Sequence, residues 1–447
     1  MALDIFDALP QKCKPRRLAS GQREWTPLSA VAVSRPLRLE DDSPEQQQQL
    51  KVVSLATGTK SLPVSALSKC KGLVLHDCHA EILAFRGLNH WLLCEIERIL
   101  QNEGFISEWI ETVASNGTGE ISPPFRLCRG VEIALFSTEA PCGDASMELL
   151  MASAQASGAD VRPWPTSSSA SHDASSENSS ALPPGRGYFS NLGVLRRKPA
   201  RADAEVSMSR SCTDKIMLRQ FASLLQFPVD LFVQPSKEAF LSRLVLYEDQ
   251  YNEFGYKRAF SADGRLRDVV AEVQREDEGN VVFFEVERLT PEFRRFEFEK
   301  SMSLETVAAR SRVTNISTIW IADGNGLGGQ DTVEVLVNGV KQGYKQFDQK
   351  VGKGSVLCRF KIVQKALGIA EALRGKGMVP ESTGETGKVM YSELKATPSR
   401  SRKKIVKDFV LDRLGGWPKK QFEDDFQVSS DMLRNTDCRG RKPLSQF

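Results

Sequence analysis

Two stretches of this chain share a plan that few folds accommodate. In each, a short apolar run meets a polar turn carrying a metal-type donor, and a helix-patterned segment follows at once. The first is Gly72-Leu-Val-Leu75, then the turn His76-Asp-Cys-His79, then residues 79–100. There Ile82, Phe85, Leu92, Ile96, Ile99 and Leu100 return mostly at intervals of three and four. The second is Val131-Glu-Ile-Ala-Leu-Phe136, a buried-strand pattern, then Pro141-Cys-Gly143, after which Asp144 offers an N-cap for a helix through Met151. Strand-like segments at 240–246, 281–286, 318–321 and 332–337, a helix over 355–373 and a basic helical stretch over 391–414 extend the plan. Strands leading into helices call for helices packed on a central sheet, an α/β or α+β sandwich.

With 40% hydrophobic residues in 447, there is ample apolar material for such a core. No run approaches the roughly 18 apolar residues that cross a bilayer. The start, Met1-Ala-Leu-Asp-Ile-Phe-Asp7, carries acid where a secretory leader carries base. The expectation is an intracellular protein, in nucleus or cytoplasm, with no membrane and no obligate protein partner. Residues 1–50, with the basic stretch Lys12–Arg17 and the glutamine-rich run after Pro44, read as a surface arm. Patterned sequence runs from 51 to 443, broken by a Ser-rich insertion at 152–187 that is too polar to pack.

The charge of +3, from 60 basic and 57 acidic residues, decides little, because a nucleic-acid binder needs only one basic face. Nine Cys without paired spacings argue against a disulfide framework. Cys13 and Cys438, near the ends, are expected to be exposed, and Cys70, Cys78, Cys94, Cys128 and Cys358 to be core. Of four His, His172 falls in the insertion, so any metal site uses few imidazoles.

His79-Ala-Glu81 at a helix start can aim a ligand and a carboxylate into one pocket; on its own it fits a capping pair equally well. Cys142 and Cys212 each precede a helix-patterned run, where the helix dipole favours a thiolate. One His and two Cys leave a fourth tetrahedral position open, as catalytic zinc sites do. Zinc nucleobase deaminases carry His-x-Glu followed by Pro-Cys-x-x-Cys. This chain keeps His79-x-Glu81 and Pro141-Cys142, but Ala145 stands at the second Cys position, so Cys212 is the candidate third ligand.

Gly72–Glu81, Pro141-Cys-Gly-Asp-Ala145, the distant Ser211-Cys-Thr-Asp-Lys-Ile216, Val52–Lys60 and Leu414-Gly-Gly-Trp417 together resemble the adenosine deaminases that act on RNA. The resemblance spans Val52 to Pro443 in the right order. It implies a cytidine-deaminase-like core, a central mixed sheet flanked by helices, with a C-terminal α+β extension around a buried polyanion. It further implies zinc (Zn²⁺) on His79, Cys142 and Cys212, and Glu81 moving protons as adenosine is hydrolysed to inosine. Thr59 and Lys60 would meet the substrate's sugar and phosphate, although Gly58-Thr-Lys60 is also an ordinary turn. About fifty residues before the domain are too few for a duplex-RNA-binding module. That favours the branch acting on tRNA, at the adenosine 3′ of the alanine-tRNA anticodon. Other structured RNA, free nucleosides or cytosine, and an inactive RNA- or protein-binding relative are the alternatives.

Lys395, Arg400, Arg402, Lys403, Lys404, Lys407, Arg413, Lys419 and Lys420 crowd one stretch, which by composition is a solvated or RNA-facing surface. The resemblance implies instead contacts to inositol hexakisphosphate from Lys215, Arg359, Tyr391, Lys395, Trp417 and Lys420, with Asp425 behind them. Asp77 and Arg86 would lie between that ligand and the zinc. Three positions depart from the family: one of two paired arginines is Phe85, the arginine after Asp214-Lys-Ile216 is displaced to Arg219, and an expected Asn is His76.

Overall fold

The computed structural model describes residues 1–17, 23–36, 48–113, 122–156, 189, 191–199, 205–275, 281–300, 312–323, 329–376, 388–396, 401–417 and 426–429. Helix α1 (Ala2–Ala8) opens the chain. Strands β1 (Leu28–Pro36) and β2 (Gln48–Thr57) pair antiparallel, with a register shift between Val31 and Ala32. The short strands β3 (Thr59–Ser61) and β4 (Asp77–His79) pair with each other and lead into helix α2 (Ala80–Gln101). Next come β5 (Glu132–Ser137), α3 (Met147–Ala156), α4 (Cys212–Ala222), β6 (Arg243–Tyr247), α5 (Glu253–Phe260), α6 (Arg267–Arg275) and β7 (Glu285–Leu289). Strands β8 (Ile316–Ile321), β9 (Thr332–Val337) and β10 (Val340–Lys341) precede helix α7 (Arg359–Gly375). Strand β11 (Lys388–Met390), helices α8 (Tyr391–Lys395) and α9 (Ser401–Arg413) and strand β12 (Gln427–Ser429) complete the described chain, β11 pairing with β12.

Eight strands form the main sheet in the order β7-β6-β5-β1-β2-β8-β9-β10. The β5–β6 and β6–β7 pairs are parallel and the others antiparallel. This mixed sheet flanked by helices agrees with the expected α/β class and is consistent with a deaminase core. Helix α2 crosses β1, β2 and β8, with α7 against it. Its residues from Ala80 to Ile96 are buried apart from Arg86, so it reads apolar nearly all round, as a central helix does. Trp91, Leu92 and Leu93 are fully buried, each contributing roughly 1.5–3 kcal/mol.

Several expectations change. Among the described residues of the span 1–50, expected as a surface arm, β1 lies inside the sheet between β5 and β2, and Phe6 and Cys13 have no exposed surface. Residues of β1 are small, Ser29, Ala30, Ala32 and Ser34 among them, which hid a strand buried on both faces. Cys13 is therefore core, and Cys128 is half-buried. The apolar run 72–75 is a turn, with the strand displaced onto Asp77–His79. Helix α3 continues to Ala156, into the span assigned to the Ser-rich insertion, and residues 157–187 lie outside the described residues. No helix among the described residues is long and apolar enough to cross a membrane.

Candidate active site

The three donors are delivered by three element starts. His79 ends β4 in extended conformation and is the N-cap residue of α2, so its ring leaves the helix mouth while Glu81 sits in the first turn. Its backbone N–H donates to Asp77 Oδ1 at 3.0 Å, which fixes the bend. Cys142 lies two residues before a short 3-10 turn, Asp144–Ser146, and Cys212 is the first residue of α4. Ser211 caps α4, its hydroxyl accepting the Asp214 N–H at 3.1 Å. Between them, Gly143 has φ +116°, and a Cβ there would lie 2.4 Å from Ser211 Oγ. Only glycine lets the Cys142 turn come this close to the α4 cap.

The ligand atoms of His79, Cys142 and Cys212 all lie within 4.8 Å of one another, the one such group among the described residues. Cys142 Sγ is 3.8 Å and Cys212 Sγ 3.6 Å from His79 Nδ1. Tetrahedral zinc with Zn–S of about 2.3 Å and Zn–N of about 2.0 Å sets S and N about 3.5 Å apart. The donor types and spacings fit zinc. Glu81 is 4% exposed, and burial raises the pKa of its carboxyl, which suits a group that must take and return a proton. The structure thus brings His79, Glu81, Cys142 and Cys212 together. Thr59 pairs across the β3–β4 ladder with His79, and Lys60 with Cys78, so both lie on the strand beside the His79 turn.

Lys198 escaped the sequence reading. Its ammonium is completely buried, 2.6 Å from Cys212 Sγ, 3.7 Å from Cys142 Sγ and 3.5 Å from Asp77 Oδ2. Burial alone would neutralise it, but Asp77 and the two sulfurs outweigh that cost and keep it charged. Burial likewise pushes both thiols up. The hydrogen bond from Cys212 and the Lys198 charge nevertheless bring Cys142 well below the ordinary thiol value, while Cys212, beside that anion, is raised. Burial would push Asp77 up too, yet Lys198 and Lys215 hold it well below the usual carboxylate range.

On the far side of Asp77 opens a cavity of about 890 Å³. Asp77, Arg86, Lys215, Arg219, Arg359, Tyr391, Lys395 and Trp417 all line it; Lys420 and Asp425 lie outside the described residues. Arg210, Lys404 and Lys407, not singled out from the sequence as contacts, line it as well. Eight Lys and Arg thus face two acids, Asp77 and Asp408. Burial pushes Arg219 down to about 10, and burial followed by the Arg359 charge lowers Arg86. Arg219 Nε and Trp417 Nε1 are buried without a hydrogen-bond partner among the described residues. Orphaned donors and crowded like charges fit a polyanion. The departures have local accounts: the Arg219 guanidinium lies 4.4 Å over the ring of Phe85, and His76 takes Arg359 Nη1 at 3.1 Å.

The adenosine-deaminase (editase) domain family matches residues 54–421, and the chain belongs to that family. It is an enzyme that deaminates adenosine. Among its relatives is a Schizosaccharomyces pombe protein named tRNA-specific adenosine deaminase 1, 34% identical over 80% of this chain and 81% of that one. A Saccharomyces cerevisiae protein of the same name is 34% identical over 55% of this chain and 56% of its own. A Rattus norvegicus protein named double-stranded RNA-specific editase B2 is 32% identical over 22% of this chain and 13% of its own.

Proposed function

We propose that this enzyme hydrolyses adenosine to inosine in tRNA, at the adenosine 3′ of the anticodon of alanine tRNA, with zinc at its centre. The convergence of His79, Cys142 and Cys212 beside buried Glu81 carries the chemistry. The names of the fungal relatives, one of them aligned over most of both chains, support tRNA as substrate. His79, Cys142 and Cys212 would hold the zinc, which would supply the Lewis acidity that makes water nucleophilic near neutral pH. Glu81 takes the proton from that water as its oxygen bonds to C6, and passes it to N1 of the ring. It then carries the proton of the new C6 hydroxyl to the amine, so that the C6–N bond breaks, ammonia leaves and the C6 carbonyl of inosine remains. Thr59 and Lys60 hold the ribose and phosphate of the flipped nucleotide at the pocket edge. A base in an anticodon loop is cheaper to extrude than one in a duplex.

The cavity beyond Asp77 holds inositol hexakisphosphate. Arg86, Lys215, Arg219, Arg359, Lys395 and Lys420 neutralise its phosphates, Tyr391 and Trp417 donate hydrogen bonds, and Asp77 anchors Lys215. The support is the gathering of eight Lys and Arg on one cavity, with Arg219 Nε and Trp417 Nε1 orphaned among the described residues.

Glu81→Ala is the direct test. Inosine formation on an alanine-tRNA transcript falls by at least about a hundred-fold, with zinc content and melting temperature unchanged. Undiminished inosine would end the role given to Glu81. Inosine at another tRNA position would move the target base while leaving the chemistry in place.

A further inference from the structure

The hairpin of β9 and β10 and the loop that follows belong to neither site described above. Asn338 and Gly339 both take positive φ, 51° and 80°, the two-residue turn that suits a twisted hairpin. Its tip is pressed onto the segment that leads to the metal centre. Leu75 N–H donates to the Gly339 carbonyl at 2.9 Å, and a Cβ on Gly339 would come within 2.3 Å of Leu75 O. Val340 completes a small apolar cluster with Leu62, Ala66, Cys70 and Val74. Residues 62–71 and 341–353 therefore form one continuous surface. Its near end is β3, where Lys60 pairs with Cys78, one residue before His79. From Lys60 to Lys69 the chain makes a few extended steps and a 3-10 turn, a reach of at most about 25 Å.

Tyr344 is 47% and Phe347 37% exposed, with the Lys69 ammonium 5.5 Å over the Phe347 ring. Lys71, Lys345 and Lys350 are exposed around them. Among the described residues the acids nearby are Asp348, 3.7 Å from Lys350, Glu334, 4.0 Å from Lys341 and 9% exposed, and Glu205, which is held by Ser65. Aromatic faces interleaved with lysines are the recurring platform for unpaired nucleotides: rings stack on bases, and ammonium groups meet phosphates. A protein-binding face would instead be depleted in lysine.

We infer that this lysine–aromatic surface is a second RNA-contact site, on which unpaired nucleotides of the substrate away from the target base stack on Tyr344 and Phe347. The inference rests on the tRNA reading above. Its test uses the full-length enzyme, Tyr344→Ala/Phe347→Ala and Lys345→Glu/Lys350→Glu variants, an alanine-tRNA transcript and a single-stranded RNA oligonucleotide. Because all four side chains are exposed, both variants melt with the wild type. The aromatic variant raises KM for tRNA about ten-fold with kcat held, and weakens oligonucleotide binding to a similar extent. The lysine variant lowers the salt dependence of binding by one to two phosphate equivalents, on the order of the charges removed. Unchanged KM, oligonucleotide affinity and salt slope in both variants overturn the inference. A wild-type enzyme that makes no inosine in tRNA, yet loses oligonucleotide binding in the aromatic variant, overturns the tRNA reading and supports the surface.

Discussion

Around the three metal-type donors the neighbouring cations meet counter-charges. Lys198 lies between Cys212 and Asp77, Arg258 Nε is 2.9 Å from Asp144 next to the Cys142 turn, and Arg265 Nη1 is 2.8 Å from Asp214 in α4. Across Asp77, the cavity crowds cations against one another with two acids among eight bases. One region holds its shape with its own residues. The other gathers more Lys and Arg than acids among the described residues that line it, the arrangement a bound polyanion would suit. On the reading proposed above, the second region draws stability from a bound polyanion and the first draws reactivity from a metal.

The largest effect that would break this contrast concerns the centre. Cys212→Ala removes a zinc donor, and bound zinc measured by atomic absorption falls from one equivalent to near zero, with inosine formation lost by roughly a thousand-fold or more. Retained zinc would mean that the three donors do not act together. Arg219→Met tests the cavity by its sign. In protein from cells that make inositol hexakisphosphate, the variant is destabilised by about 3 kcal/mol, since a buried pair is broken. In protein made without that polyanion, the same change is neutral or stabilising. Equal destabilisation in both preparations would show that the cavity is complete without an anion.

The smallest effect lies between strand β5 and the Cys142 turn. Glu139 accepts the Lys300 N–H at 3.1 Å, yet burial pushes its carboxyl up to about 7. An acid raised in the folded state keeps its stabilisation below its unfolded value of 4.5 and loses it as pH climbs toward 7. Denaturant unfolding from pH 4.5 to 7 therefore shows falling stability, with about 3 kcal/mol as a ceiling for this group. Glu139→Gln flattens that slope, and an unchanged slope assigns it elsewhere.

The two regions were unequally legible in the sequence. Metal-type donors are few in kind, so four His and a Pro-Cys turn narrowed the choice to His79, Cys142 and Cys212 before any coordinates. Lys198 gave no signal, being one of 60 basic residues in an unpatterned stretch, and its importance comes only from burial beside two sulfurs. The cavity residues came from resemblance, and Arg210 and the α9 lysines show what position-by-position transfer omits. In the fold, β9 over 332–337 was read to the residue because Val alternates there. Strand β1 was missed because Ser and Ala carry little hydrophobic contrast, and β4 because three residues are too short for a period.

The bare α-carbon of Gly143 has a consequence for how this enzyme can change. It acts as a spacer gauge between two pieces of chain seventy residues apart, each contributing a sulfur. Adding a single methyl there would lever the turn away from the Ser211 hydroxyl, uncapping one helix and stretching the thiol pair in the same stroke. Helix integrity and metal grip thus fail or survive together at that point, so drift in one cannot be repaired independently of the other.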